Sequence, residues 1–338
     1  MQFGRGGKPA AGAFYDSDFA TIDQVLAVSL LHGMQGKNDC RVAIVTMSRP
    51  NLATAGFLDA LERFYRGPAA VFAQVPPIGM PTRGTETATS KAFTAPFDVK
   101  GADGKPVYHN QVKRTLETGD PLTLFRNYLQ AQNDLNAFFV LAGPATNLAA
   151  AMEFRGMKDL LTSKLKYLVI TGGNSFGSDP AAAKAVLKDW PTPIVFAGPE
   201  LGSALPFPGA SIDKDFPAQV PNHLAAEAYK AFKPMPYDTP SWAMVAALHA
   251  GRPNAGYFKV SDPGTVTLQS DGRTTFQPAA DGRHRHLILD PSQQEKILHD
   301  YVELASAKPV IQQRFRPPVA DKAAADKAAA DKAAAEKP

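Results

Sequence analysis

The chain has 338 residues, 44% hydrophobic and 20% charged, which excludes global disorder and leaves enough material for a sizeable core. Lys+Arg is 36 against Asp+Glu 32, and a net charge of +4 is too small to mark a nucleic-acid partner. One cysteine, Cys40, excludes an intrachain disulfide and a cysteine-based zinc cluster, and no apolar run approaches the roughly 18 residues of a membrane span.

Residues 1–12 are basic and glycine-rich and are expected to be a flexible N-terminus. No apolar stretch follows them, so as written they are not a secretory signal. The expectation is a cytoplasmic protein, or an exported one if a leader is missing from the chain. Gly4-Arg5-Gly6-Gly7-Lys8 lacks the preceding strand and the spacing of a phosphate loop. A short apolar run, Ala13-Phe14-Tyr15, comes next and reads as a first strand. Residues 22–32 carry Ile22, Val25, Leu26 and Leu30 at helical spacing. Residues 41–46 (RVAIVT) predict a strand, 51–65 a helix, and 69–75 a further strand. Residues 76–110, rich in Pro, Gly and Thr, read as a long surface excursion. Residues 138–141, 167–170 and 194–197 are short and continuously apolar, as strands covered on both faces are. Helical stretches at 147–152 and 180–190 lie between them. Further on, 224–232 and 242–249 read as helices, 257–260, 265–269 and 286–289 as short strands, and 291–305 as a closing helix. His32 and His249 are expected at helix C-termini, interacting with the dipole. His284 and His286 are expected on a solvated strand face, Phe176 in a loop, and Cys40 as an inert structural thiol. Residues 311–338 form a low-complexity tail with a repeated Asp-Lys-Ala-Ala-Ala.

Strand–helix alternation of this kind predicts an α/β fold: a doubly wound, mainly parallel sheet flanked by helices, Rossmann-like, with extra C-terminal strands and helices. It is expected to form one domain over 13–310.

The chemistry is concentrated in Tyr15-Asp16-Ser17-Asp18-Phe19-Ala20-Thr21-Ile22-Asp23-Gln24. Three carboxylates fall at the end of a strand and the start of a helix, where open α/β sheets bind ligands. Like charges brought together there call for a cation, and an all-oxygen set suits calcium or magnesium rather than zinc. The same residues also suit a helix cap or a turn, and spacing alone leaves both readings open.

This segment resembles the N-terminal signature of the inosine–uridine-preferring nucleoside hydrolases, D-x-D-x-x-x-D-D. Residues 141–149 (LAGPATNLA) resemble that family's G-P-L-T-N-L-A segment, and 167–173 (YLVITGG) its strand ending in M-G-G. The resemblance implies a parallel-sheet α/β fold, a bound calcium ion and hydrolysis of the N-glycosidic bond of a ribonucleoside, as in purine and pyrimidine salvage. It implies Asp18 as the catalytic residue, ligating the metal and activating water, and Asp23 as a bidentate ligand. Ala142 would offer its carbonyl to the ion, and Asp16 would complete the carboxylate cluster. Asn51, Asn174 and Trp242 are the candidate contacts to a riboside or ribose. A homodimer or homotetramer is the family's habit, with no nucleic acid and no membrane involved.

Departures from the pattern fall on functional positions. Ile22 stands where the signature has its third Asp, removing a contact to a ribose hydroxyl. The Glu-Phe-Asn segment expected after Gly172-Gly173 is missing, because Asn174 runs almost directly into the helix at Pro180. Ala243, in Ser241-Trp242-Ala243, stands where a distal metal aspartate is expected, with Asp238 the nearest substitute. The sequence therefore predicts a divergent relative with weakened calcium binding and altered or absent catalysis. The alternative is a non-catalytic relative that binds a nucleoside, sugar or protein partner in the same cleft. A haloacid dehalogenase-type phosphatase, which also uses D-x-D after a first strand, is disfavoured by the residues after Asp18.

Overall fold

The computed structural model describes residues 9–67 and 75–310. The expected strand at 69–75 lies outside them except for Val75, which is in no strand; residues 1–8 and the tail at 311–338 lie outside them too. The chain runs β1 (Ala11–Ser17), α1 (Ile22–Gly36), β2 (Cys40–Met47), α2 (Leu52–Arg66), α3 (Pro121–Gln130), β3 (Ala137–Leu141), α4 (Thr146–Glu153) and α5 (Met157–Lys164). It continues with β4 (Leu165–Thr171), α6 (Asn174–Gly177), α7 (Pro180–Asp189), β5 (Ile194–Ala197), α8 (Pro199–Ala204), α9 (Ser211–Gln219), α10 (Leu224–Phe232) and α11 (Trp242–Gly251). It ends with β6 (Phe258–Val260), β7 (Gly264–Leu268), β8 (Thr274–Pro278), β9 (His284–Leu289) and α12 (Gln294–Ala305). β1 thus begins at Ala11, inside the segment expected to be flexible.

The strands form one mixed sheet in the order β2-β1-β3-β4-β5-β9-β7-β8, with β6 also paired to β9. From β2 to β9 every neighbour is parallel; β6, β7 and β8 add antiparallel pairs at the far side. Alternate residues of the central strands feed two cores, one on each face. Ala13, Tyr15, Phe138 and Val140 pack with α1, α2, α10, α11 and α12; Phe14, Phe139 and Leu141 pack with α3, α4, α5 and α7. Two covered faces explain why these strands read as unbroken apolar runs. The chain goes from β1 to β2 on one side, and β3 lies on the other side of β1. That reversal opens a crevice beyond the carboxyl ends of β1 and β3.

Four local expectations are corrected by this packing. His32 does not end its helix, because α1 runs on to Gly36; it is buried against Glu62, at 2.9 Å, and stacks on Tyr65. His249 is buried edge-on to Phe258, and burial pushes its pKa down to about 4, so it carries no charge to the helix end. His284 is buried, accepting from the Val266 amide at 2.9 Å through Nδ1 and meeting the Leu187 carbonyl at 2.8 Å through Nε2. His286 is half-buried against the Phe276 ring, while Arg285 and Ile288 of the same strand are exposed. Phe176 lies in α6, buried and edge-on to Phe196. Cys40 opens β2 and is buried, with burial pushing its thiol up, as an inert structural thiol requires.

Residues 76–110 run largely without regular structure but are not simply superficial. Gly79 bridges β2 at Thr46, and Ile78, Met80, Phe93 and Tyr108 are buried.

Candidate functional site

β1 carries an apolar run that ends in acids, and the parallel register sets Asp16 level with Thr46 of β2 and Leu141 of β3. Asp16 is fully buried. Its Oδ1 accepts from Thr46 Oγ1 at 2.5 Å and from Asn147 Nδ2 at 2.9 Å. Asn147, from the first turn of α4, also donates to the Met47 carbonyl at 2.8 Å, joining β1, β2 and α4. Asp16 Oδ2 is buried without a hydrogen-bond partner among the described residues. Burial raises the Asp16 pKa to about 7, the two hydrogen bonds oppose that rise, and the nearby Asp18 charge adds to it.

The turn out of β1 is tight. Phe19 adopts a φ of 51°, a conformation that costs a bulky residue strain. Its amide donates to Ser17 Oγ at 3.1 Å, and the Ala20 amide donates to Asp18 Oδ1 at 3.4 Å. Thr21 then caps α1, and Asp23 lies buried in the first turn. Thr21 Oγ1 donates to Asp23 Oδ1 at 2.6 Å, and the Ala243 amide donates to Asp23 Oδ2 at 2.8 Å. Burial lifts the Asp23 pKa to about 6 despite these bonds.

Gln24 joins these pieces. Its Oε1 accepts from the Thr21 amide at 3.1 Å, half of a capping box. Its Nε2 donates to Asp18 Oδ1 at 2.9 Å and to the Ala142 carbonyl at 2.5 Å. The orientation is forced: a backbone N–H fixes the oxygen end, and the other end faces two acceptors. Both amide hydrogens therefore have partners. Nothing in the sequence reading singled out Gln24; the Thr-x-x-Gln spacing of a capping box was the signal that could have found it.

The crevice beside this network holds about 300 Å³, within the range of small-ligand pockets. Asp23, Gln24 and Ala142 form its floor, and Gly172, Gly173, Pro199, Trp242 and Ala243 its walls. Trp242 is half-buried and donates from Nε1 to the Pro199 carbonyl at 2.9 Å, which fixes the indole in the wall. Gly143 lets the β3 end approach β1: a Cβ there would meet the Asp18 nitrogen at 2.6 Å and Ser48 Oγ at 2.8 Å.

The structure thus brings Asp23, Ala142 and Trp242 to the lining of one crevice, while Asp18 joins that lining through Gln24 and Asp16 is buried behind it on Thr46 and Asn147. Asn51 is used elsewhere. It caps α2 by accepting from the Thr54 amide at 2.9 Å, and its Nδ2 donates to the Thr87 carbonyl at 2.8 Å. Asp238 accepts from the Gly209 amide at 2.7 Å, as a turn residue, and does not line the crevice. Asn174 starts α6, and its side chain lies outside the described part.

The residues present do not fit a calcium ion as they are arranged. Calcium takes about six to eight oxygens. Both Asp23 oxygens already accept from protein donors, and the Asp18 and Ala142 oxygens share one amide nitrogen. The methyl of Ala243 supplies no ligand. Among the described residues, three His, Cys, Asp or Glu ligand atoms mutually within 4.8 Å occur at His299, Asp300 and Glu303, on α12, and not among Asp16, Asp18 and Asp23. Among the same residues no helix is long and apolar enough to cross a membrane.

No protein-family model and no curated protein matches the chain. Solved structures match in fold. A plant nucleoside hydrolase superimposes with a TM-score of 0.63 at 17% identity, covering 88% of this chain and 100% of its own. The inosine–uridine-preferring nucleoside hydrolase from Bacillus anthracis gives 0.60 at 17% identity, covering 87% and 99%. The type III effector protein XopQ, complexed with adenosine diphosphate ribose, gives 0.56 at 13% identity, covering 89% and 94%. The chain has the nucleoside hydrolase-like α/β fold, as a divergent example of it.

Proposed function

We propose that this chain binds a small ribose-containing ligand in the crevice at β1 and β3, without calcium and without cleaving its N-glycosidic bond. The observation that carries this reading is the Ala243 amide donating to Asp23 Oδ2 at 2.8 Å. Where the resemblance calls for a third carboxylate, the chain places a methyl group and a backbone donor that engages Asp23 Oδ2, as Thr21 engages Oδ1. Hydrolysis needs an activated water and a base held against the anomeric carbon. Asp18, the candidate base, is tied by its Oδ1 to Gln24, and the residues around it do not suit the cation that would acidify the water. The missing carboxylate at Ile22 and the missing segment after Gly173 take away further ribose contacts, and with them the orientation that catalysis depends on. The crevice itself is intact, with the Trp242 wall and the backbone of Gly172 and Gly173 open to a sugar and a ring. Inosine, uridine and adenosine diphosphate ribose are the natural probes, because structures of the same fold are named for them.

The test is isothermal titration of the full chain with each probe in chelator, alongside release of free base with millimolar calcium. The expected result is saturable binding of at least one probe and no base release. Calcium-dependent base release would restore the hydrolase reading; no binding of any probe would remove the ligand-binding one.

A further inference from the structure

We infer that the side-chain amide of Gln24 takes the place of the cation, tying the end of β1 to the end of β3 and excluding calcium from the crevice. The inference rests on the metal-free reading above and goes further by naming the residue responsible.

Asp18 Oδ1 and the Ala142 carbonyl oxygen both lie within hydrogen-bond distance of one atom, Gln24 Nε2, at 2.9 and 2.5 Å. Two oxygens that converge in this way repel unless something positive lies between them. A divalent ion meets that need with charge; an –NH2 group meets it with two hydrogens, one for each oxygen. The amide cannot turn over, because the Thr21 N–H holds its oxygen end at 3.1 Å and a flip would set Oε1 against two acceptors. Gln24 is 4% exposed, on the first turn of α1, and Gly143 already brings the β3 end against the Asp18 backbone. A calcium ion about 2.3–2.6 Å from both oxygens would need the volume the nitrogen fills. The lock is local: Thr21, Gln24 and Asp18 lie within seven residues of one another, and only Ala142 comes from afar.

Gln24→Glu is the direct test, since it keeps the size and the acceptor for the Thr21 amide. Its second oxygen would face Asp18 and Ala142 with like charge, so the substitution removes the lock and adds a ligand. Thermal unfolding of the full chain is followed in chelator and across a calcium titration, with calcium binding measured separately by calorimetry. Unaltered protein should show no saturable response. Gln24→Glu should melt lower in chelator and regain about 5 °C at saturating calcium, the response expected for a ligand near 100 times its dissociation constant. Gln24→Met, which has neither donor nor charge, should melt lower and gain nothing from calcium. An equal calcium response in unaltered protein and Gln24→Glu would overturn the inference, as would Gln24→Met melting like unaltered protein. If Gln24→Glu does not fold, the Met variant still decides. Nucleoside binding by the unaltered protein in chelator is a separate readout, so failure of the functional reading and failure of this inference are told apart.

Discussion

Helix α1 carries a buried polar cluster at each end, and they are built differently. At its first turn, Asp16, Asp18 and Asp23 gather with only neutral partners named among their hydrogen bonds: Thr46, Asn147, Gln24, Thr21 and backbone amides. Near its far end, His32 meets Glu62 of α2 and stacks on Tyr65, whose hydroxyl lies 3.3 Å from His223. The first cluster opens on a crevice of about 300 Å³, the second on about 10 Å³. An imidazole paired through Nε2 with one carboxylate fills the space there, its Nδ1 buried without a partner among the described residues. Three carboxylates without a counter-charge are costly, and burial raises Asp16 and Asp23 toward neutrality as a result. A fold that keeps such a cluster beside an open crevice keeps it at a price in stability. On the proposed reading, the first turn is the functional end and the other a structural one.

The largest effect should come from breaking the structural end. His32→Leu leaves the buried Glu62 carboxyl without its imidazole partner, and an orphaned buried polar group costs about 1–3 kcal/mol, more for a charged one. Chemical denaturation should register that loss, while titration of a ribose-containing probe on the still-folded protein should be unchanged. A matching loss of affinity would mean the two ends are coupled and the contrast between them is false. Gly143→Ala attacks the functional end by sterics. A Cβ 2.6 Å from the Asp18 nitrogen must push β1 and β3 apart, costing about 1–3 kcal/mol by overpacking. Here probe affinity should fall with stability; unchanged affinity would move the ligand away from this crevice.

What the sequence revealed divides along the same line. The β1 acids, the α1 start and the β3 segment at Gly143 are local patterns, and they converge in space as the motif order implied. Ala243, which the resemblance sets at the position of a distal metal aspartate, has its amide on Asp23 Oδ2. Gln24 escaped notice because a glutamine beside an acid motif reads as a surface residue until the fold brings Ala142 to it. His32, His249 and His284 were misread for the opposite reason: their partners lie on elements far away in sequence, or their strand proved central. α3 and α5, with short amphipathic patterns, were not anticipated at all, although Asp120 before Pro121 is a strong helix start, accepting from the Thr123 amide.

Thr21→Ala sharpens the comparison with a smaller change. It removes the hydroxyl that donates to Asp23 Oδ1 at 2.6 Å but keeps the backbone amide that holds Gln24. The expected loss is about 1 kcal/mol, one hydrogen bond to a buried carboxylate. If the amide lock stands on its own, this variant should still ignore calcium in a thermal titration. A calcium response would show that the threonine, not Gln24, keeps the site closed.

The smallest net effect is on pH, because the two kinds of group oppose each other. Asp16 and Asp23 have folded pKa values raised to about 7 and about 6, above the ordinary carboxylate value. Between the ordinary value and the raised ones, the folded state holds protons that the unfolded state has released. The stability this gives is full in acid and is lost as pH rises through those values. His223 and His249 are depressed by burial to about 3 and about 4, so their contribution is present at neutral pH and is lost as pH falls. The two slopes have opposite signs over much of the same range, and the melting midpoint of the unaltered protein should change little across it. Asp16→Asn removes the larger of the two acid contributions and leaves that of Asp23. The difference in midpoint, unaltered protein minus variant, should be larger at pH 5 than at pH 7.5. Equal differences at the two values would mean that the Asp16 carboxyl is ionised throughout and that the Asn147 and Thr46 donors outweigh its burial.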